Sequence, residues 1–258
     1  MKRVLVFLAA VALLAPLRAF ADGPSAREIV KAASDKGAAN LLDLKAEITL
    51  VTTDKAGAAK TRKMSMASKK IGGKVSSLVR FRAPPDVAGI ALLAVEGGAG
   101  KADELTLYLP AFKRTRRVAQ GQRGSSFADT DFSYADFSRG GGSVNEDAGK
   151  RLPDEKLLER EVYVVEGPAE TGSPYATVRG FFEKKTFLPL RIEMLDKDGS
   201  KLKTYSVKKL TEVSGRTLAG EAVMENHKTG SATSITLDKV EVGAPPDELF
   251  TERGLERG

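Results

Sequence analysis

The chain has 258 residues and a formal net charge of +7, and it contains one histidine and neither cysteine nor tryptophan. Disulfides, a lipid anchored on a cysteine and a zinc site built from thiolates are excluded, because each of them needs cysteine. A hydrophobic content of 41% supports a buried core. The mild charge does not favour a nucleic-acid binder, which concentrates basic residues on one face.

The N-terminal segment has three zones: a basic start, an apolar run over residues 4–14, and small residues in Ala19-Phe20-Ala21. This order predicts a secretory signal peptide that is cleaved after Ala21. The apolar run is shorter than the roughly 20 residues that span a bilayer, so we expect cleavage rather than anchoring. The predicted organisation is a signal peptide, residues 1–21, and a single domain, residues 22–258, that is soluble in the periplasm.

The mature chain is predicted to begin with one amphipathic helix over residues 24–41. Ser25 is placed to cap it, and Glu28 follows three residues later, as in a capping box. After the helix, apolar and polar residues alternate with a period of two, which is typical of strands with one wet face. Strand candidates with this pattern are residues 44–50, 61–70, 75–82, 89–95, 105–109, 114–119, 157–165, 175–183, 187–195, 205–207, 219–227 and 235–237. Turn residues separate them, so we predict about eleven strands in an antiparallel meander.

One interval lacks this alternation of apolar and polar residues. Residues 120–156 are polar and rich in glycine, yet they contain Phe127, Phe132, Tyr134 and Phe137. Loops of this length in compact domains are usually functional or disordered. Because the aromatic residues are too apolar for a free loop, we predict that residues 125–138 pack against the sheet near its opening, with a helical turn over residues 132–137.

The residues that could carry chemistry are few. His227 has no cysteine or histidine partner for a metal, and it is interpreted as a solvated strand-end residue. No Gly-x-Ser-x-Gly nucleophile elbow is present. The acidic cluster of Asp129, Asp131 and Asp136 departs from a calcium loop, because Tyr134 stands where that loop needs glycine. We interpret these carboxylates as turn caps and loop hydrogen-bond acceptors, and we expect no metal, no cofactor and no enzymatic activity.

Two neighbouring segments are distinctive: LYLPAFKRTRRV at residues 107–118 and GSSFADTDFSYADF at residues 124–137. Together with AREIV at residues 26–30 and PDELFT at residues 246–251, they resemble the outer membrane lipoprotein-sorting protein family, the LolA-like periplasmic lipoprotein and lipid carriers. The resemblance implies a mainly β fold. It would be an incomplete, half-open antiparallel β barrel of about eleven strands, with an N-terminal helix and short lid or plug helices.

The resemblance also implies a task. The protein would bind acyl chains of a lipid or lipoprotein in an apolar groove and shuttle them between the inner and outer membranes. An inner-membrane exporter of the RND/MMPL or ABC type would be its partner, with transient contact to the membrane surface and none to nucleic acid. The lipid-binding residues implied in this way are Val79, Phe81, Leu105, Leu107, Leu109, Phe127, Phe132, Tyr134 and Phe137. The residues implied for headgroup or partner contact are Lys113, Arg114, Arg116 and Arg117.

Two alternatives stay open. A periplasmic sensor or scaffold of the same fold, regulating an envelope-stress response, would use the same sheet without carrying cargo. A lipid hydrolase would need a reactive residue, and His227 is the one histidine that could serve it.

Overall fold

The computed structural model describes residues 23–37, 39–98, 100–138 and 142–257, and the expected signal peptide lies outside these ranges. The described chain forms one antiparallel sheet of thirteen strands that is not closed into a barrel. The predicted mainly β, half-open architecture is confirmed, with two strands more than the expected count.

The bounds of the elements follow the alternating pattern closely. The strands are β1 (Leu44–Thr53), β2 (Ala59–Ile71), β3 (Lys74–Ala83), β4 (Ala91–Val95), β5 (Glu104–Leu109), β6 (Arg114–Arg117), β7 (Lys150–Leu157), β8 (Arg160–Pro168), β9 (Thr177–Glu183), β10 (Pro189–Leu195), β11 (Lys201–Val213), β12 (Arg216–Asn226) and β13 (Ser231–Val242). The helices are α1 (Ala26–Ala32), which continues into a π-helical turn (Ala33–Gly37), and α2 (Glu252–Arg257). Short 3-10 turns lie at Pro110–Phe112, Gln120–Gln122, Tyr134–Phe137 and Asp247–Phe250.

The start of α1 is as predicted, and its end is not. The Ser25 hydroxyl accepts a hydrogen bond from the Glu28 backbone N–H at 3.3 Å, and the Glu28 carboxylate accepts one from the Ser25 N–H at 2.7 Å. This capping box satisfies two N–H groups that have no partner inside the helix. The regular α-helix ends at Ala32, well before residue 41. Gly37 then lies so close to the Phe187 carbonyl that a Cβ would approach its oxygen to 2.7 Å, which explains the glycine there.

The order of the strands explains where the long interval must lie. In the sheet, β6 is one edge and β7 is the opposite edge, while β1 pairs with β13 in the middle. The next strand after β6 is β7, so the described residues between them, 118–138 and 142–149, lie along the path from one edge of the sheet to the other. They lie on the face that carries Ile48, Met64, Val79 and Leu107, which we call the inner face.

Both faces of the sheet are partly covered. On the inner face, Ile29 and Val30 of α1 pack with Val165 and Val178 of β8 and β9. A separate cluster joins Leu255 of α2 and Phe250 to apolar residues of β3, β4 and β5 that alternate with the inner-face residues: Leu78, Ala91, Leu93 and Tyr108. The buried Arg80 side chain donates to the carbonyl oxygens of Gly254 at 3.1 Å and Leu255 at 2.9 Å. These hydrogen bonds fix the C-terminal segment against the face opposite the inner face, which we call the outer face.

Candidate functional site

The inner face brings five of the expected lipid-binding residues together on two strands. The five are Val79 and Phe81 on β3, and Leu105, Leu107 and Leu109 on β5. They belong to one apolar cluster, in which Leu109 is half-buried and the other four are buried. Leu92 of β4 lies directly between Val79 and Leu107, because it pairs with both across the strands. The strand register therefore builds a continuous apolar surface from residues that are distant along the chain.

The other four expected residues lie on the segment that covers this surface. We call residues 123–138 the plug; its aromatic residues are Phe127, Phe132, Tyr134 and Phe137. The ring centroid of Phe127 lies 5.1 Å from that of Phe81, 5.3 Å from Tyr134 and 5.2 Å from Phe137. Phe132 lies 5.4 Å from Phe137 and packs into the cluster of α1. The packing predicted for residues 125–138 is confirmed, and the plug occupies the surface expected to hold acyl chains.

The tip of the plug is a tight hairpin. The Phe127 N–H donates to the Phe132 carbonyl at 2.8 Å, and Ser126 and Ser133 form an isolated antiparallel bridge. Between them, Ala128 and Asp129 have φ angles of +50° and +52°. The left-handed region is disfavoured by roughly 1–2 kcal/mol for a residue such as Ala128, and less so for Asp129. The plug tip therefore stores backbone strain that its contacts must offset.

Asp131 fixes the plug to the middle of the sheet. Its carboxylate is buried and accepts hydrogen bonds from the hydroxyls of Ser231 and Thr233 on β13, the latter at 2.8 Å. Its backbone N–H donates to Oγ1 of Thr233 at 3.0 Å. Asp131 therefore serves as a hydrogen-bonding loop residue and not as a turn cap, with partners about one hundred residues away in sequence.

Asp136 fixes the other end of the plug. It caps the turn at Tyr134–Phe137, as predicted, by accepting from the Ser133 N–H at 2.7 Å. It also accepts from the Tyr175 hydroxyl at 2.7 Å and from Lys203 Nζ at 3.0 Å. The Asp136 and Lys203 side chains are only 3% and 12% exposed. Breaking such a buried ion pair by removing one partner is strongly destabilising, because it leaves an uncompensated buried charge.

The Tyr175 hydroxyl gives this contact a pH dependence. Burial, and then the Asp136 carboxylate, raise the pKa of Tyr175 well above its usual value. Since the pKa is higher in the folded chain than the value of about 10 in the unfolded chain, this contribution to stability is complete below about pH 10 and is lost as the pH rises further. We expect Tyr175→Phe to reduce the fall in unfolding free energy above about pH 10 by up to about 1.4 kcal/mol per pH unit. Urea unfolding of both proteins between about pH 9 and about pH 11 checks this, and equal slopes would contradict it.

Arg62 is a functional candidate that the sequence analysis missed. It lies on β2, directly opposite Leu50 of β1, and it shares the inner face with Met64. Its side chain is 3% exposed, and Nη2 lies 3.6 Å from Oδ2 of Asp129, which is 80% exposed. Its Nε and Nη1 are buried and have no hydrogen-bond partner within the described ranges. The alternation along β2 could have revealed it. Arg62 lies two residues from Met64 and therefore on the same, mainly apolar, face of the strand.

The basic residues expected to contact headgroups or a partner lie at one edge of the sheet. Lys113, Arg114, Arg116 and Arg117 are exposed on edge strand β6 and the turn before it. Arg116 donates to Gln122 at 2.9 Å, and Arg117 forms an ion pair with Glu104 at 3.3 Å. Beside them Phe112 is 70% exposed, an unusual position for a large aromatic residue. Arg114 and Arg116 pair with Leu109 and Leu107 across the strands, so they extend the inner face to its exposed edge, whereas Arg117 pairs with Thr106 on the other face.

Other sites for chemistry are scarce in the described part of the chain. His227 is exposed in the turn between β12 and β13, and its Nε2 lies 2.8 Å from Oγ1 of Thr204. Among the described residues, no three His, Asp or Glu side chains are grouped so that they could hold a metal ion. Within the same ranges, no helix combines the length and the apolar character that crossing a membrane requires.

Comparison with known proteins identifies the family. A family model whose description reads "Uncharacterized protein" matches residues 73–257. A domain from Vibrio parahaemolyticus named for outer membrane lipoprotein sorting is 26% identical, with a TM-score of 0.76 over 90% of this chain and 100% of that chain. A LolA superfamily protein from Nitrosomonas europaea is 19% identical, with a TM-score of 0.67 over 89% of this chain and 98% of that chain. The chain belongs to a LolA-like family.

Another solved structure supports the LolA-like fold. A DUF1329 family protein from Desulfovibrio piger is 24% identical, with a TM-score of 0.74 over 88% of this chain and 98% of that chain. No curated protein matches the chain. The family predicted from the two segments at residues 107–118 and 124–137 is therefore confirmed. The inner face and the plug of this LolA-like chain are the features from which its function has to be argued.

Proposed function

We propose that this LolA-like protein is a periplasmic carrier that binds acyl chains of a lipid or lipoprotein on its inner face and shuttles them between the inner and outer membranes. The observation that carries the proposal is the cover of that face. The apolar row of Val79, Leu92 and Leu107 is closed by the plug, a single irregular segment held by a few polar contacts, rather than by a second sheet. The relative named for outer membrane lipoprotein sorting supports the cargo class.

Acyl chains would replace the plug on the same surface. Each methylene removed from water contributes about 0.8 kcal/mol, so a long chain can match the apolar contacts of the plug aromatics without any reactive residue. The strained tip at Ala128 and Asp129 favours release of the plug, because its left-handed backbone can relax once the plug leaves the sheet. The contacts of Asp131 and Asp136 oppose release and keep the apolar face covered while the carrier is empty.

The location and the partners belong to the same proposal. The predicted signal peptide places the mature N-terminus at Asp22, and the protein in the periplasmic fraction after osmotic shock. Recovery of a membrane-bound form that begins at Met1 would overturn this placement. The exposed Phe112 and the basic residues of β6 suit transient contact with anionic headgroups or with an inner-membrane exporter of the RND/MMPL or ABC type.

Displacement of a fluorescent fatty-acid probe tests the carrier function. Leu107→Asp introduces a charge into the apolar row and should weaken probe binding far more than Arg116→Ala, which removes an exposed basic side chain and should act mainly through headgroup or partner contacts that depend on salt. Leu109→Asp repeats the test at a half-buried position of the same strand, where folding is less at risk.

The controls are the unfolding curve of each variant and the wild-type titration. A wild-type protein without saturable probe binding would contradict the proposal and would favour a sensor or scaffold whose inner face stays filled by the plug.

A further inference from the structure

The inner face has a polar end beside β13, where Arg62 is a buried charged residue. Next to Arg62 along β1 and β13, the hydroxyls of Thr52 and Thr233 lie 2.9 Å apart, and Thr233 contacts the buried Asp131. In the other direction along β2, Met64 and Met66 continue the face towards Phe81 and Val79. An amphiphile on this face would therefore meet an apolar surface at one end and a guanidinium at the other.

The hydrogen bonding of Arg62 is incomplete. A guanidinium has five N–H donors, and those on Nε and Nη1 are buried without a hydrogen-bond partner among the described residues. Its one ion pair is long, at 3.6 Å, and its partner Asp129 is largely in water. A buried charge with unpaired donors is unfavourable. The face would be more stable with an apolar side chain at this position, so the arginine indicates a ligand with an anionic group.

We propose that Arg62 binds the carboxylate of a single-chain fatty acid whose tail lies along Met64 and Phe81. The planar guanidinium fork matches a carboxylate in two parallel hydrogen bonds. Arg62 lies deep against Leu50 and Met64 and is 3% exposed, which suits a small planar head more than a bulky headgroup. The inference rests on the proposed function, because it assumes that acyl chains reach the inner face.

While the plug covers the inner face, the Asp129 carboxylate takes the position proposed for the carboxylate of the ligand. It is the acidic group that faces Arg62, and it lies at the strained tip of the plug. The carboxylate of an incoming fatty acid would replace Asp129 as the partner of Arg62. This would break the contact between the plug tip and β2. Binding of the head and release of the plug are then coupled, because both use the same guanidinium.

The test compares three ligands with the same tail: palmitate, 1-hexadecanol and hexadecyl phosphate, each titrated by displacement of the fluorescent probe. The wild type should bind palmitate about 10-fold or more tightly than 1-hexadecanol, as expected for a charge-assisted hydrogen bond. In Arg62→Met the two affinities should become equal to within about 2-fold. Asp129→Asn should strengthen palmitate binding relative to 1-hexadecanol, since the competing carboxylate is removed.

A stability measurement guards against misfolding of the arginine variant. Replacing a buried, poorly paired charge by an apolar side chain of similar length should leave the ligand-free protein as stable as the wild type or more stable. Equal wild-type affinities for palmitate and 1-hexadecanol, or a palmitate preference that survives in Arg62→Met, would overturn the assignment while leaving the carrier function intact. Tighter binding of hexadecyl phosphate than of palmitate would overturn the assignment of a carboxylate as the head of the ligand. Failure of all three ligands to bind would instead overturn the carrier function itself.

Discussion

Phe127→Ala should lower the free energy of unfolding by about 3–5 kcal/mol, a large fraction of the stability of an ordinary domain. The Phe127 ring is 1% exposed and lies within 5.3 Å, between centroids, of three other aromatic rings. Truncation removes this burial and leaves a cavity between the plug and the inner face. The backbone hydrogen bond from Phe127 to Phe132 is retained in the variant, so the loss reports packing alone.

Urea unfolding at equal protein concentration measures this loss, and Phe112→Ala provides the matched control. Phe112 is 70% exposed, so its removal should change the unfolding free energy by less than about 0.5 kcal/mol. The carrier function adds a second expected result: palmitate should raise the melting temperature of Phe127→Ala more than that of the wild type, because a plug weakened by the loss of its ring leaves the inner face more readily and palmitate then binds more tightly. A loss below about 1 kcal/mol would show that the plug is not packed on the sheet in solution.

The strands and the start of α1 were predictable because their signals are local. Alternation along Leu44–Thr53 is set by neighbours two residues apart, and the capping box by residues three apart. Strand β7, at Lys150–Leu157, was missed and assigned to the long loop. It is an edge strand that is mostly exposed and contains Pro153, so it has no apolar stripe to reveal it. The early end of α1 depends on the contact of Gly37 with Phe187, which no local pattern contains.

The residues of the candidate site also fall into two groups: those that local patterns predict and those that depend on contacts between distant parts of the chain. The apolar row at Val79 and Leu107, and the packing of the plug aromatics, followed from composition and alternation. The partners of the plug carboxylates did not, because Asp131 and Asp136 bond to residues of β13 and β11 that only the strand order brings near. Arg62 looked like an ordinary basic residue on a wet strand face. Its burial arises because the chain crosses from β6 to β7 over the face on which Arg62 lies.

The central claim is that the plug must leave the inner face before an acyl chain can bind, and a reversible cross-link tests it. The chain has no cysteine, so the double variant Asp131→Cys and Thr233→Cys carries the only two thiols. Oγ1 of Thr233 lies 3.0 Å from the backbone N of Asp131, so the two residues are adjacent and we expect a disulfide to form there between the plug and β13. The matched control is Glu212→Cys with Thr217→Cys, a directly opposed pair on β11 and β12 that is part of neither the plug nor the inner-face cluster.

The measurement is saturable binding of the fluorescent fatty-acid probe by both double variants, oxidised and then reduced, with disulfide formation confirmed by mass. We expect the plug variant to lose binding when oxidised and to regain it when reduced, while the control variant binds equally in both states. Equal binding by the oxidised and reduced plug variant would contradict the account, because the acyl chain would then bind with the plug still in place.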